Sequence, residues 1–181
     1  GLKGLDAVFL AVDNGHGAPN AASASALGCK VIDLSADHRF RNPFEYAQWY
    51  GFSHPAPQQT VEAVYGLPEL HSDAIASSKI VGNPGCYATA SILALAPLLS
   101  KGCIDPDTVV IDGKSGVSGA GRSSFGLGTH FSEVNEAVSA YKVGGTHRHT
   151  GEIEQELTSL AGSPVKVSFT PHLVPMSRGI L

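Results

Sequence analysis

The sequence predicts an α/β protein in which a parallel sheet is followed by a second, α+β domain. Short apolar runs alternate with helical patterns, which is typical of strand–helix–strand units. The first run, residues 6–12, is almost continuously apolar, as expected of a strand buried on both faces of a parallel sheet. Hydrophobic residues make up 43% of the 181 residues and charged residues 15%, a balance typical of a globular chain with a buried core.

The first part of the chain predicts one strand–helix–strand unit. After the strand at residues 6–12, an Ala/Ser-rich helix is expected over residues 20–27, and Gly28 is placed to end it in the left-handed conformation. Residues 30–35 form the next strand. The aromatic-rich stretch 44–52 predicts a short helix that packs over a cleft.

The second part begins at a Pro-Gly turn that follows the β-branched run 79–81. A helix is expected from Cys86 to about residue 101, and its buried bulk comes from five apolar side chains. These are Ile92, Leu93, Leu95, Leu98 and Leu99. Residues 108–112 and 164–170 predict two further strands, and residues 152–157 predict a helix.

Charge and cysteine content exclude several classes of function. The net charge of −4, without a basic run, argues against a nucleic-acid partner. No segment approaches the roughly 18 consecutive apolar residues of a membrane span. The three cysteines have no paired spacing, which indicates reduced thiols rather than a disulfide framework. The chain begins with glycine and enters a strand almost at once, so we expect it to be a piece of a longer protein.

Cys86 is the main candidate for chemistry. It lies at the start of the predicted apolar helix, where unpaired amides and the positive end of the helix dipole favour a thiolate. A thiolate is an effective nucleophile, and Pro84 and Gly85 form a turn that presents it in an open cleft. The alternative is a buried structural cysteine, because cysteine is among the most often buried residue types.

A second candidate is the segment that contains His147, Arg148, His149 and Glu152. Histidine is the usual acid or base near neutral pH, and Glu152 is placed to orient the His149 ring in a Cys-His-Glu arrangement. If the backbone is extended here, both rings point to one side and Arg148 to the other. Two alternatives stay open: ligation of zinc or iron by these side chains, and solvated loop histidines without a role.

Two further segments are placed to bind anions. Residues 115–122 are glycine-rich, so their backbone amides are expected to cradle a phosphate or carbonyl oxygen, with Arg122 paired to an anion. Residues 33–40 follow the carboxyl end of a predicted strand, where open α/β sheets bind ligands. Ser35 and Arg39 could bind an anion there, although Arg39 could equally form a surface ion pair.

Taken together, these segments resemble one family, the N-acetyl-γ-glutamyl-phosphate reductases. The resemblance covers nearly the whole chain and is carried by five segments in the family's order: residues 33–37, 82–89, 115–122, 147–152 and 175–181. The related aspartate-semialdehyde dehydrogenases share the cysteine at a helix start and a histidine. The His-Arg-His segment, however, looks like the N-acetyl-glutamyl branch.

The resemblance implies a domain organisation. Residues 1–84 would be the remainder of a dinucleotide-binding domain with a partial Rossmann-type parallel sheet. Residues 85–181 would be a catalytic and dimerisation domain of the semialdehyde dehydrogenase type, incomplete at its C-terminus. The family further implies a homo-oligomer, either a dimer or a tetramer, in the cytoplasm or, for a plant protein, in a plastid.

It also implies a reaction, the NADPH-dependent reduction of N-acetyl-glutamyl 5-phosphate to the semialdehyde in arginine biosynthesis. Cys86 would form a thioester with the acyl group, hydride from NADPH would reduce it, and His149 would act as acid and base. His147 is the reserve candidate, in contact with substrate, and no metal is expected. The residues expected to bind substrate are Ser35, Arg39, Asn83, Arg122, Arg148 and Glu152. Those expected to approach the nicotinamide are Ser118, Gly119, Ala120 and Gly121.

One feature departs from the family. Its first strand is followed by a G-x-x-G-x-x-G-type turn that places the pyrophosphate on a helix N-terminus, whereas Gly15-His16-Gly17 has a different spacing. The chain also stops at Leu181, where family members continue, so the fragment is expected to bind NADP weakly or not at all. Alternative functions are a related reductase of aminoadipyl or aspartyl phosphate, and a thiol hydrolase or acyltransferase that uses Cys86 and His149 without hydride.

Overall fold

The computed structural model describes residues 1–121 and 126–181. The chain divides into two compact units, Gly1–Gly85 (unit 1) and Cys86–Leu181 (unit 2). Each unit contains its own sheet. The α/β class predicted from the sequence is confirmed.

Unit 1 is a parallel sheet with helices in the connections. Its elements are β1 (Ala7–Leu10), α1 (Gly17–Ala26), β2 (Lys30–Asp33), α2 (Pro43–Tyr50), β3 (Ala63–Tyr65), α3 (Pro68–Ser77) and β4 (Ile80–Gly82), with a 3-10 turn at Pro57–Val61. The strand order is β1-β2-β4-β3, and all three pairings are parallel. The parallel sheet was predicted, whereas β3 and α3 were not.

Local sequence explains where two of these helices end. Gly28 follows α1 with φ of 86°, as predicted for a glycine that ends a helix in the left-handed region. In α2, the Asn42 side chain accepts a hydrogen bond from the Phe44 amide at 2.9 Å, and Pro43 occupies the first turn. Gly51, with φ of 80°, ends α2.

The first strand is buried on one face only. Leu10 packs with Ala21 and Ala24 of α1 and with Val31 of β2, whereas Phe9 on the opposite face is 71% exposed. The expectation of burial on both faces is therefore wrong. The reason is that β1 is an edge strand and, within the described chain, α1 covers only the face that carries Leu10.

Unit 2 combines a small mixed sheet with two long helices. Its elements are α4 (Cys86–Ser100), β5 (Val109–Ser115), α5 (Phe131–Val134), β6 (Ser139–Ala140), α6 (His149–Ala161) and β7 (Val167–Leu173), with 3-10 turns at Pro106–Thr108, Val117–Ala120 and Leu127–Thr129. The strand order is β5-β7-β6. β5 and β7 are parallel, and β6 is antiparallel to β7.

The helix α4 begins at Cys86 as predicted, but its buried side is narrower than predicted. Ile92 and Leu99 are buried, whereas Leu98 is 42% exposed. Burial follows the helical period, so only the side chains that face the core are covered. In the described part of the chain, we find no helix that is both long and apolar enough to cross a membrane.

Candidate active site

Cys86 is the first residue of α4, and its side chain is exposed. All three cysteines are free thiols, but their environments differ. Cys29 is buried, with its Sγ 3.6 Å from the Leu2 carbonyl oxygen, and Cys103 is exposed after the end of α4. The alternative of a buried structural cysteine therefore describes Cys29 and not Cys86, which is exposed at the first residue of α4.

The two histidines meet at the start of α6. This helix begins at His149, three residues earlier than predicted, and Arg148 already has helical backbone angles (φ −57°, ψ −22°). The chain is therefore not extended here, and the expected alternation of side chains along a strand does not apply. Both histidine side chains are buried, and their rings are in edge-to-face contact with centroids 4.7 Å apart. Arg148 is exposed.

His147 has a defined tautomer and a lowered pKa. Its Nδ1 accepts a hydrogen bond from the His149 backbone amide at 3.1 Å, so the proton of the neutral ring lies on Nε2. Burial, together with the nearby positive charges of Arg148 and Lys142, lowers the pKa of His147 to about 4. The ring is therefore neutral near pH 7.

Tyr87, next to Cys86 in α4, connects this helix to the two histidines. Its ring lies edge-on to His147 and His149, with centroid distances of 5.8 Å and 6.3 Å. Its hydroxyl donates to the His172 carbonyl oxygen at 3.2 Å and accepts from the Tyr141 hydroxyl at 3.3 Å. Burial raises the pKa of Tyr87, and negative charge on Cys86 adds to the increase.

Space for the Tyr87 ring comes from a glycine on β5. A Cβ built on Gly113 would lie 2.7 Å from the Tyr87 ring and 3.1 Å from the Phe169 ring. Phe169, on the neighbouring strand β7, also contacts the His147 ring edge-on at 5.2 Å. The first turn of α4, the start of α6 and β7 therefore meet at one aromatic cluster, which consists of Tyr87, Tyr141, His147, His149 and Phe169. Sequence reasoning missed the tyrosines and Phe169. Only the position of Tyr87, directly after the candidate nucleophile, could have indicated its role.

Glu152 and Glu156 lie one turn apart on α6, and their side chains are almost fully buried, at 0% and 1% exposure. Gln155 Nε2 donates to Glu156 Oε1 at 2.9 Å. Glu152 belongs to the first turn of α6, as does His149. Over residues 1–121 and 126–181, no group of three or more histidine, cysteine or acidic side chains is arranged to hold a metal ion.

The glycine-rich segment 115–121 is held by the C-terminal segment of the chain. The amides of Gly116, Val117 and Ser118 donate to the carbonyl oxygens of residues 179, 176 and 177, and those of Gly119 and Gly121 donate within the segment itself. Five amides that the sequence offered as an anion cradle are therefore already used, and that expectation is wrong for them. The Ser118 and Gly119 positions remain exposed, and Ala120 is half-buried. Arg122 lies outside the described residues.

The remaining substrate candidates lie in unit 1. The Arg39 guanidinium donates to the carbonyl oxygens of Asn83, at 2.8 Å, and of Leu34, at 3.1 Å, and it is half-buried. Ser35 is buried, and its hydroxyl donates to Asp33 Oδ2 at 2.8 Å. The structure thus brings Arg39 to Asn83, and it uses Ser35 in a buried polar network.

That network is built on two buried carboxylates, Asp33 at the end of β2 and Asp37 in the segment that follows. Asp33 accepts hydrogen bonds from the Ser35 amide and hydroxyl and lies 2.6 Å from His38 Nδ1. Asp37 accepts from the amides of Gly15 and Ala18, at 2.7 Å and 3.0 Å, and from the Tyr46 hydroxyl at 2.8 Å. Asp37 thereby ties the β1–α1 connection to the end of β2. The sequence showed these residues in one segment but not their burial.

A cleft of about 480 Å³ opens directly after β1 and is lined by Ala11, Val12, Asp13, His16 and Asn20. Its volume lies in the range of small-molecule sites. It also lies beyond the carboxyl end of a parallel strand, where ligands bind in open α/β sheets. Asp37 accepts a hydrogen bond from the amide of Gly15, the residue before His16 of the cleft lining.

Both units match models of known protein families. Residues 1–78 match the family described as semialdehyde dehydrogenase, NAD binding domain, and residues 86–181 match semialdehyde dehydrogenase, dimerisation domain. The N-acetyl-gamma-glutamyl-phosphate reductase of Symbiobacterium thermophilum is 56% identical over 99% of this chain and 51% of its own length. That of Moorella thermoacetica is 55% identical over 97% of this chain and 50% of its own length. The chain therefore spans about half the length of the curated relatives it matches.

Solved structures with a similar fold include aspartate semialdehyde dehydrogenase II from Vibrio cholerae, with a TM-score of 0.63 and 17% identity over 95% of this chain and 52% of that chain. Another is aspartate semialdehyde dehydrogenase with NADP from Candida albicans, with a TM-score of 0.54 and 14% identity over 97% of this chain and 48% of that chain. At these identities the likeness shows the fold alone. The family models and the highly identical relatives together show that the chain belongs to the N-acetyl-gamma-glutamyl-phosphate reductase family of the semialdehyde dehydrogenases.

Proposed function

We propose that the protein containing this chain reduces N-acetyl-glutamyl 5-phosphate to N-acetyl-glutamate 5-semialdehyde, with NADPH as the reductant, in arginine biosynthesis. The observation that carries the proposal is the exposed thiol of Cys86 at the start of α4, whose next residue contacts both histidines. The names of the relatives support the choice of substrate. The likeness to the aspartate enzymes supports only the fold.

In the proposed reaction the Cys86 thiolate attacks the carbonyl carbon of the acyl phosphate. The carbon–oxygen bond to the phosphate breaks, inorganic phosphate leaves, and a thioester with Cys86 remains. Bound NADPH supplies the hydride that reduces this thioester to a thiohemiacetal. The carbon–sulfur bond then breaks, which releases the aldehyde and restores the thiolate.

His149 is the proposed acid and base for these steps. It first removes the proton of the Cys86 thiol. It later donates a proton to the thiohemiacetal oxygen and removes it again when the carbon–sulfur bond breaks. Two observations favour it over His147. The Nδ1 of His147 already accepts the His149 amide, and the pKa of His147 is lowered to about 4 by burial and by the charges of Arg148 and Lys142. A group with that pKa is poorly matched to proton transfer near pH 7.

Two groups of polar or exposed residues, one in each unit, are suited to contact a nucleotide cofactor. In unit 1, the cleft after β1 offers the polar side chains of Asp13, His16 and Asn20. In unit 2, the exposed Ser118 and Gly119 stand on a segment fixed by the C-terminal residues. We assign these residues to NADP, and Arg39, Asn83 and Arg148 to the substrate. Glu152 is fully buried, so we assign it no contact with the substrate. A homo-oligomer is also proposed, because residues 86–181 match a family described as a dimerisation domain. The thiol of Cys86 requires a reducing compartment, for which we propose the cytoplasm.

The reverse reaction tests the proposal. The natural protein that contains this chain is given N-acetyl-glutamate semialdehyde, phosphate and NADP, and the absorbance of NADPH is followed at about 340 nm. We expect Cys86→Ser to lower the rate at least about a thousandfold, since the nucleophile is lost. The matched control is Cys103→Ser, which removes the other exposed thiol. A wild-type protein that gives no signal, or a Cys86→Ser variant with near-normal activity, would refute the proposal.

Substrate choice is tested in the same assay with the semialdehydes of aspartate and aminoadipate. A higher kcat/KM with either of these would replace the proposed substrate by the corresponding acyl phosphate. Phosphate-independent turnover of a thioester or ester, without NADPH formation, would instead identify a thiol hydrolase or acyltransferase.

A further inference from the structure

We propose that His147 is a positioning residue, whose ring caps the start of α6 and holds the His149 ring in place without exchanging protons itself. This inference rests on the proposed function of the site. It gives a separate role to His147, which the sequence leaves as the reserve candidate for the acid and base.

The capping role follows from the first two amides of α6. The amides at the start of a helix have no carbonyl partner within the helix and need one from elsewhere. His147 supplies two acceptors: its Nδ1 accepts from the His149 amide at 3.1 Å, and its carbonyl oxygen accepts from the Thr150 amide at 2.9 Å. The side-chain cap of α6 therefore comes from His147, the residue before the N-cap Arg148.

The His147 ring is itself held from three directions. Tyr87 of α4, Tyr141 after β6 and Phe169 of β7 contact it edge-on, with centroid distances of 5.8 Å, 5.9 Å and 5.2 Å. His149 lies against the remaining side, at 4.7 Å and with its ring plane inclined by 78°. Because side chains in such a packed cluster have few alternative rotamers, the position of His147 restricts the position of His149.

The charges around His147 agree with this role. The titratable groups that face it are Tyr87 of α4, Tyr141 and Lys142 after β6, and Arg148 and His149 of α6. Burial and the positive charges of Arg148 and Lys142 disfavour a charged imidazole, so the pKa of His147 is lowered to about 4. A ring that stays neutral keeps Nδ1 free to accept, which the cap requires.

Three substitutions at position 147 test the inference in the natural protein. His147→Asn places an amide oxygen near the position of Nδ1, His147→Gln places it one bond further out, and His147→Ala removes the acceptor. We expect Ala to lower kcat by about 10- to 100-fold, below the usual effect of losing an acid or base, with KM changed less than about threefold. Asn should recover most of that loss, and Gln less.

The pH profile separates positioning from proton transfer. The limb of the kcat/KM profile that reports the acid or base should persist in all three position-147 variants and should disappear in His149→Gln. If His147→Asn removes that limb, or is no better than His147→Ala, the inference is overturned.

A spectroscopic measurement tests His147 without turnover. In protein labelled with ¹⁵N-histidine, NMR should show His147 as the neutral Nε2–H tautomer throughout pH 5.5 to 8. A titration of His147 within that range would overturn the inference. Because this result does not depend on reductase activity, failure of the proposed function and failure of the positioning role can be told apart.

Discussion

Two buried histidines, one in each unit, have opposite protonation behaviour. His38 of unit 1 is 2% exposed and His147 of unit 2 is 9% exposed. Burial disfavours the charged form of both, yet hydrogen bonds with Asp33 and Gln59 and the charges of Asp33 and Asp37 outweigh it and raise the pKa of His38. At His147, the pKa is instead lowered to about 4 because Arg148 and Lys142 add to the effect of burial.

The difference lies in what the ring nitrogens contact. Nδ1 of His38 lies 2.6 Å from a carboxylate oxygen of Asp33, and Nε2 lies 2.9 Å from Oε1 of Gln59, so both nitrogens can donate. Nδ1 of His147 faces a backbone amide and must accept. Burial alone therefore does not decide whether a histidine is charged. The hydrogen-bonding partners and the nearby charges decide it.

Among the predicted effects, the largest should be the loss of stability of unit 1 when Asp33 is removed. Asp33→Ala removes the acceptor of the Ser35 amide and hydroxyl and the partner of His38 Nδ1, and each buried polar group left without a partner costs about 1–3 kcal/mol of stability. Urea unfolding followed by the fluorescence of Trp49, the single tryptophan of the chain, measures the stability of unit 1. Asp6→Ala, at an exposed carboxylate of the same unit, is the control and should change stability by less than about 0.5 kcal/mol. Equal losses in the two variants would show that the hydrogen bonds to Asp33 do not stabilise unit 1.

Crowding the aromatic cluster should have the next largest effect. Gly113→Ala places a Cβ 2.7 Å from the Tyr87 ring, and overpacking of this kind costs about 1–3 kcal/mol. The loss should appear as faster hydrogen exchange of the α6 amides. Gly128→Ala is the matched control, because a Cβ there meets nothing within 4 Å. Unchanged exchange in Gly113→Ala would mean that ring packing does not hold the His147 site.

The smallest predicted effect is on how the stability of each unit depends on pH, with opposite signs in the two units. The pKa of His38 is raised in the folded state, so its contribution to stability is complete below about pH 6.5 and is lost as the pH rises through the folded pKa. The pKa of His147 is lowered to about 4, so its contribution is present above about pH 6.5 and is lost as the pH falls toward 4. For each histidine, the free energy of unfolding changes by at most about 1.4 kcal/mol per pH unit.

Urea unfolding at several pH values measures both slopes, with Trp49 fluorescence for unit 1 and the amide signals of α6 for unit 2. His38→Asn and His147→Asn should flatten the slope of their own unit only. Slopes of the same sign in the two units would contradict the comparison.

The parts of the fold that local sequence determines were predictable. Apolar runs located β1, β2 and β4, Gly28 marked the end of α1, and Cys86 was correctly placed at the start of α4. Strand β3 (Ala63–Tyr65) was not predicted, because it lacks the β-branched run that marks β4, a strand of the same length. The exposed face of β1 could not be predicted either, because the neighbours of a strand in the sheet determine its burial.

The candidate site was predictable as a set of residues but not as an arrangement. The sequence indicated Cys86, His147, His149 and Glu152. It did not indicate that α6 begins at His149, because histidine is not among the usual capping residues and the cap comes from the His147 ring. Tyr87 and Phe169 reach this ring from elements far apart in the chain, and no pattern within one segment shows such a contact.

The parallel pairing of β5 with β7 also has a consequence for synthesis of the protein. Val109 pairs with Val167, so the whole of residues 116–166, including both site histidines, is translated between the two strands. At typical rates of translation, β7 is synthesised about 3–10 seconds after β5. During that interval residues 1–85 have all been translated, whereas α4 still lacks α6, the helix that it packs against. The Cys86 thiol is therefore synthesised before the two histidines that are proposed to control its reactivity.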